Sequence, residues 1–107
     1  MENRFYSAPC VGSEIKINVN VEPHGVYHLS DYDFKCRFYT TQRSFIDVTK
    51  QQMIKLDNDN YIACIDTTRL GNGEVLLLFE AHLPDDDFAD GYRTEIARLS
   101  TGVTIQR

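Results

Sequence analysis

The chain has no tryptophan, only three prolines and three cysteines, and no long apolar run. A helix that crosses a bilayer needs about 20 consecutive apolar residues, and the sequence predicts none. The first residues, MENRFYSAPCVGSE, also lack the apolar stretch of a secretion signal. We therefore expect the chain to be made in the cytoplasm and to have no membrane partner.

Basic residues are scarce as well. The chain has 11 lysines and arginines against 16 aspartates and glutamates, which gives a formal net charge of −5. Binding to DNA or RNA without regard to sequence needs a clustered basic surface, whereas these basic residues are scattered. The composition therefore predicts no nucleic-acid partner.

Motifs of catalysis and of cofactor binding are missing too. The sequence contains no GxSxG turn, no glycine-rich phosphate loop and no cysteine–histidine motif. We predict a protein that is not an enzyme and binds no cofactor. A small hydrolase is a further alternative, because a pair of catalytic carboxylates meets in space rather than in sequence.

The three cysteines, Cys10, Cys36 and Cys64, have no CxxC spacing. Cys36 and Cys64 fall in separate strand patterns, so one alternative is a disulfide across a sandwich, as in antibody domains. A reducing cytoplasm and the missing tryptophan favour free, buried thiols instead.

What the sequence does contain is alternation of apolar and polar residues, the signature of half-buried strands. Turn signals separate the alternating segments every eight to twelve residues. Together they predict an all-β fold, an immunoglobulin-like antiparallel β-sandwich of about 7–9 strands. The predicted strands span residues 14–21, 26–29, 33–39, 45–49, 53–56, 61–66, 74–83, 93–100 and 103–106.

One short helical turn interrupts this pattern. Asp66 is suited to cap a turn at residues 67–70, and Gly71 to end it with positive φ. We expect a single domain over residues 1–107, with residues 1–12 loosely ordered. The predicted core contains apolar side chains from three strands and this turn: Ile15, Ile17, Val19, Phe34, Cys36, Phe38, Leu70, Leu77 and Phe79.

Four carboxylates within six residues are the candidates for a calcium site: Asp85, Asp86, Asp87 and Asp90. The EF-hand spacing fails in both registers, because Ala89 or Phe88 takes the place of a ligand. We therefore predict an acidic turn and no tight metal site. The histidines His24, His28 and His82 have no spacing that indicates zinc.

Exposed aromatic rings can bind sugar by stacking on its apolar faces. Four tyrosines are the candidates for such a binding platform: Tyr32, Tyr39, Tyr61 and Tyr92. This pattern keeps a carbohydrate-binding or adhesin-like sandwich open as an alternative function.

Three segments carry a resemblance to a known family: LSDYDF at residues 29–34, NYIACIDTTRLGNGEV at 60–75 and LPDDDFADGYRTE at 83–95. Together they resemble small proteins of Bacteroides-type prophage regions. They are also similar to the immunoglobulin-like N-terminal domain of phage baseplate upper proteins. The similarity covers roughly residues 12–105, and it departs from the family in length, since baseplate proteins usually continue into a further region.

The resemblance implies a non-enzymatic structural or interaction module of a phage or prophage tail. Its expected partners are other tail or baseplate proteins or further copies of the chain, as a homo-oligomer or an assembly component. It also implies association with a virion after synthesis. The family offers no catalytic residues to carry over.

Overall fold

Strands form where the sequence alternates. A computed structural model describes residues 9–21, 27–41 and 43–107. Within these residues the chain forms seven strands, each antiparallel to its neighbours. They are β1 Glu14–Val19, β2 Asp33–Thr41, β3 Ser44–Thr49, β4 Ile54–Lys55, β5 Tyr61–Asp66, β6 Gly73–Pro84 and β7 Tyr92–Ile105.

The strands make two sheets, one with the order β1-β5-β4 and one with the order β3-β2-β6-β7. Immunoglobulin-like sandwiches place strands B, E and D in one sheet and C, F and G in the other. The seven strands follow this arrangement, with β3 added beside β2. The predicted all-β sandwich is confirmed.

The core lies between the two sheets and contains side chains on alternate positions of β1, β2, β3, β5 and β6. Phe34 of β2 meets Tyr61 of β5 across the sandwich, with ring centroids 5.3 Å apart. Eight of the nine predicted core residues are buried, and Ile15 is half-buried against the same cluster. The alternation therefore indicated the inward face of β1, β2 and β6 correctly.

Helical structure is confined, in the described ranges, to three 3₁₀ turns at Leu29–Asp31, Lys50–Gln52 and Thr67–Arg69. The last is the predicted turn: the Asp66 carboxylate accepts from the Thr68 amide at 3.0 Å, and Gly71 follows at φ 75°. Leu70 is 1% exposed, so it fills the core as expected. No helix in this part of the chain is long and apolar enough to cross a membrane.

The predicted strand at residues 26–29 is wrong for residues 27–29, the part of it that the structure describes. Tyr27 and His28 lie outside any strand, Leu29 begins a 3₁₀ turn, and residue 26 lies outside the described residues. The Asp31 carboxylate accepts from the His28 amide at 2.9 Å and closes the turn locally. Such a local hydrogen bond is an alternative to pairing in a sheet, and the chain therefore forms a turn here instead of a strand.

Residues 9–12 are tied to the sandwich rather than loosely ordered; residues 1–8 lie outside the described ranges. Cys10 forms a parallel bridge with Gln106, and the Gln106 amide donates to the Pro9 carbonyl at 2.8 Å. The buried hydroxyl of Thr67 accepts from the Gly12 amide at 2.9 Å and donates to the Ser13 carbonyl at 2.6 Å. One side chain thus satisfies two backbone groups of this segment.

Replacing Thr67 with valine is expected to lower the free energy of unfolding by about 1 kcal/mol, because the variant keeps the shape but loses the two hydrogen bonds of the hydroxyl. The Gly12 amide then loses this partner, whereas the Ser13 carbonyl still accepts from the Thr67 amide. Chemical denaturation measures the change. Thr67→Ser keeps the hydroxyl and serves as the control, with a smaller loss. Equal losses in the two variants would contradict the assigned role of the hydroxyl.

The prediction that the free thiols are buried is wrong for two of the three cysteines. All three are free; Cys36 is buried, whereas Cys10 and Cys64 are exposed. Strand β5 turns Tyr61, Ala63 and Ile65 inward, so Cys64 points to solvent and does not face Cys36. Burial raises the pKa of the Cys36 thiol to about 12, which keeps this thiol protonated and unreactive at neutral pH.

Candidate functional site

The acidic loop uses its own carboxylates to fix its backbone. Asp85 accepts from the Asp87 amide at 3.0 Å and meets Arg93 at 3.3 Å, and Asp90 accepts from the Tyr92 amide at 3.1 Å. Asp86 and Asp87 are exposed. Across the described ranges, no group of three or more histidine, cysteine, aspartate or glutamate side chains is placed to hold a metal ion.

The four candidate tyrosines do not form one platform, which corrects the sequence-based interpretation. Tyr32 and Tyr61 are each 4% exposed, and burial raises the pKa of both phenols. Their rings pack in the core and are not available to a sugar.

The other two tyrosines stand far apart on the same sheet. Tyr39 pairs with Leu76 near the start of β6, and Tyr92 pairs with Pro84 at its end. Eight residues of strand separate these positions, about 27 Å at the usual rise. A single sugar ring therefore cannot contact both tyrosines.

The apolar surface lies elsewhere, on the solvent side of the sheet β3-β2-β6-β7, here called the outer face. Strand β6 contributes two half-buried leucines at its centre, Leu76 and Leu78. Phe45 is 40% exposed and lies two strands from Leu76, with Tyr39 between them. Ile96 is 60% exposed and pairs with Glu80, diagonal to Leu78.

Sequence reasoning missed this surface, although a signal was present. Leu76, Leu77 and Leu78 are consecutive, and successive side chains of a strand point to opposite faces. If Leu77 faces the core, its two neighbours must place leucine side chains on the outer face.

A fixed arginine borders the apolar centre. Arg37 makes two parallel hydrogen bonds to Asp47, at 2.8 Å and 3.0 Å, and its guanidinium carbon lies 4.0 Å from the centroid of the Phe45 ring. The hydrogen bond from Arg37 lowers the pKa of Asp47. The carboxylate thus stays ionised, and the arginine and the phenyl ring are held in one arrangement.

Charges of both signs complete the outer face. Lys35 pairs with Glu80 at 3.1 Å, and His82 lies 3.8 Å from the same carboxylate. Arg98 stands opposite Leu78 on the neighbouring strand. Its guanidinium has no ion-pair partner in the part of the chain that the structure describes.

Two shallow depressions flank Arg37 and Leu78, with volumes of about 190 and 240 Å³. Small-molecule sites usually enclose roughly 300–1,000 Å³, so neither depression matches that size. The larger depression is lined by Arg37, Tyr39, Phe45 and Arg98 among others, and aromatic and arginine side chains are enriched at protein–protein interfaces in general.

Comparisons with known proteins give no further identification. No family model matches the chain, and searches of the curated proteins and of the solved structures found no significant match. The geometry of the outer face is therefore the main basis for a functional proposal.

Proposed function

We propose that this chain is a non-enzymatic interaction module that docks onto other proteins through its outer face. The observation that carries the proposal is the apolar centre of that face, formed by Leu76 and Leu78. Phe45 lines one depression together with Leu78, and Ile96 lies diagonal to Leu78 on the neighbouring strand. A sheet face that meets only water normally alternates to polar residues on that side. Leucines at its centre favour burial against a partner.

The side chains around this centre fit such a role. Arg37 and Phe45 hold each other in place, so they lose little conformational freedom when a partner covers them. Arginine and aromatic residues are the types that contribute most to binding at protein interfaces. Arg98 offers a guanidinium that a partner's carboxylate can pair.

The resemblance of residues 60–75 and 83–95 supports a place for this module in a phage or prophage tail or baseplate. There it acts as an assembly component or as a homo-oligomer, with other tail proteins or its own copies as partners. A standard interface buries about 1,200–2,000 Å² in total, and a four-stranded sheet face supplies an area of that order.

Purification of particles from an induced prophage that encodes the chain tests the proposal. Mass spectrometry is expected to find the chain in the particles, retained after a high-salt wash because apolar contacts are not screened by salt. Absence of the chain from the particles would contradict the tail assignment. Location of its gene among polysaccharide-utilisation genes would instead support the carbohydrate-binding alternative.

A further inference from the structure

Strand β7 ends the four-stranded sheet and offers a long open edge. It runs from Tyr92 to Ile105 and, among the described residues, pairs along its length only with β6. Tyr92, Ile96 and Leu99 expose 52%, 60% and 39% of their surface. Residues 92–99 contain no proline or lysine. Their inward-facing charges, Arg93 and Glu95, are of the kind that can protect an edge from pairing, and they lie 3.4 Å apart within the chain.

The free part of this edge has clear limits. A bulge on β7 shifts the register between Glu74 and Leu76 of β6, and Gly102 has φ 76°. Beyond Ile105, the edge is occupied, because Gln106 bonds to Pro9 and Val11. The regular, unoccupied segment is therefore residues 92–99.

Backbone groups on this segment alternate in direction. The Asp85 amide donates to the Gly91 carbonyl at 2.9 Å, in the same register that sets Pro84 opposite Tyr92. In an antiparallel pair, hydrogen-bonded positions recur every second residue. The odd-numbered residues of β7 thus bond to β6, whereas Thr94, Ile96 and Arg98 direct their amide and carbonyl groups to the open edge. The Tyr92 carbonyl faces the same way, but its amide donates to the Asp90 carboxylate.

We propose that this edge pairs, antiparallel, with the same edge of a second copy of the chain, about a two-fold axis that passes through Thr94. In this register Arg93 stands opposite Glu95 of the second copy and Tyr92 stands opposite Ile96, and the symmetry makes each pair twice. Opposite charges and aromatic–β-branched pairs are the cross-strand pairs that stabilise a sheet.

Charge selects this register over its neighbours. Moving the axis by one residue in either direction places Arg93 opposite Arg93 or Glu95 opposite Glu95. Like charges directly opposite each other destabilise a strand pair. The sequence therefore matches itself in one register and repels itself in both adjacent ones, which is how an isologous interface achieves specificity.

The inference rests on the proposed function, because it assigns a surface to the self-association included there. The proposed dimer uses the edge of β7, whereas docking of other proteins uses the outer face around Leu78. The dimer joins the two four-stranded sheets into one continuous eight-stranded sheet. Its contact is small, so we expect a dimer that dissociates on dilution.

Sedimentation equilibrium over a concentration series tests the dimer with Thr94→Pro. Proline is tolerated where the amide faces outward from an edge strand, so the variant keeps its circular dichroism spectrum. It removes the central hydrogen bonds and is expected to raise the dimer dissociation constant at least tenfold. A monomer at every concentration of the unchanged protein, or a dimer unaffected by Thr94→Pro, would overturn the proposal.

Disulfide trapping tests the register, in a background with Cys10→Ser and Cys64→Ser. Thr94→Cys places the two thiols on directly opposite residues, about 5.5 Å apart between Cα atoms, which a disulfide spans. Ile96→Cys separates them by about 14 Å and serves as the matched control. We expect covalent dimers from Thr94→Cys only; preferential dimers from Ile96→Cys would contradict the register.

A third variant separates this inference from the proposed function. Leu78→Asp changes the outer face and leaves the open edge of β7 intact, so we expect it to dimerise with an unchanged dissociation constant. Loss of dimerisation in Leu78→Asp would contradict the assignment to the β7 edge. Retention of the dimer together with absence from particles would contradict the tail assignment alone.

Discussion

Replacement of Leu77 by alanine is expected to lower the free energy of unfolding by about 2–5 kcal/mol. Leu77 is 5% exposed and lies on the central strand β6, where its side chain faces the core. Alanine leaves a cavity that the surrounding sheets cannot close. Small domains are stable by only about 5–15 kcal/mol, so urea denaturation will show a large shift of the midpoint.

The neighbouring leucine provides a matched control. Leu78 has the same chemistry on the same strand but points to the outer face and is half-buried. Leu78→Ala is expected to cost less than about 1 kcal/mol, because less apolar surface leaves a packed environment. Equal losses for the two variants would mean that the two faces of β6 are assigned incorrectly.

Leu78→Asp is expected to abolish docking at the outer face while the fold is retained. A carboxylate at the centre of a buried contact is desolvated without a partner, and hot-spot changes cost at least about 2 kcal/mol. That corresponds to roughly a thirtyfold loss of affinity. The measurement is the fraction of the chain that remains with purified particles.

Cys64→Asp is the matched control for this experiment. Cys64 is exposed on β5, on the solvent side of the opposite sheet, so the same charge is added away from the outer face. We expect normal association with particles. If Leu78→Asp associates normally as well, the outer face is not the docking surface.

Much of the fold follows from local pattern. Strand β1 alternates Ile17 and Val19 with polar residues, and the Asp66 cap with Gly71 specifies a turn by side-chain chemistry alone. The pattern fails where both faces of a strand are apolar. Both faces of β5 are apolar, so the sequence does not indicate which one faces the core. One face carries Tyr61, Ala63 and Ile65, and the other carries Ile62 and Cys64.

The candidate site is less accessible to sequence reasoning, because it is made by pairing between distant segments. Phe45, Leu76 and Ile96 come to share one face only through the order β3-β2-β6-β7, which no single strand pattern reveals. Tyrosine is also ambiguous, since its ring packs in a core and its hydroxyl reaches water. Tyr32 and Tyr61 belong to the core, and the Tyr32 hydroxyl is buried there without a hydrogen-bond partner among the described residues.

The parallel bridge between Cys10 and Gln106 determines how the domain responds to mechanical load. A force that pulls Pro9 and Arg107 apart acts along these two parallel segments, in opposite directions. The hydrogen bonds from Val11 and Gln106 are then loaded in shear and must break together rather than one after another. Thr67, in the 3₁₀ turn that follows β5, bonds the same segment through Gly12 and Ser13. A force on the two ends is therefore resisted before the core separates.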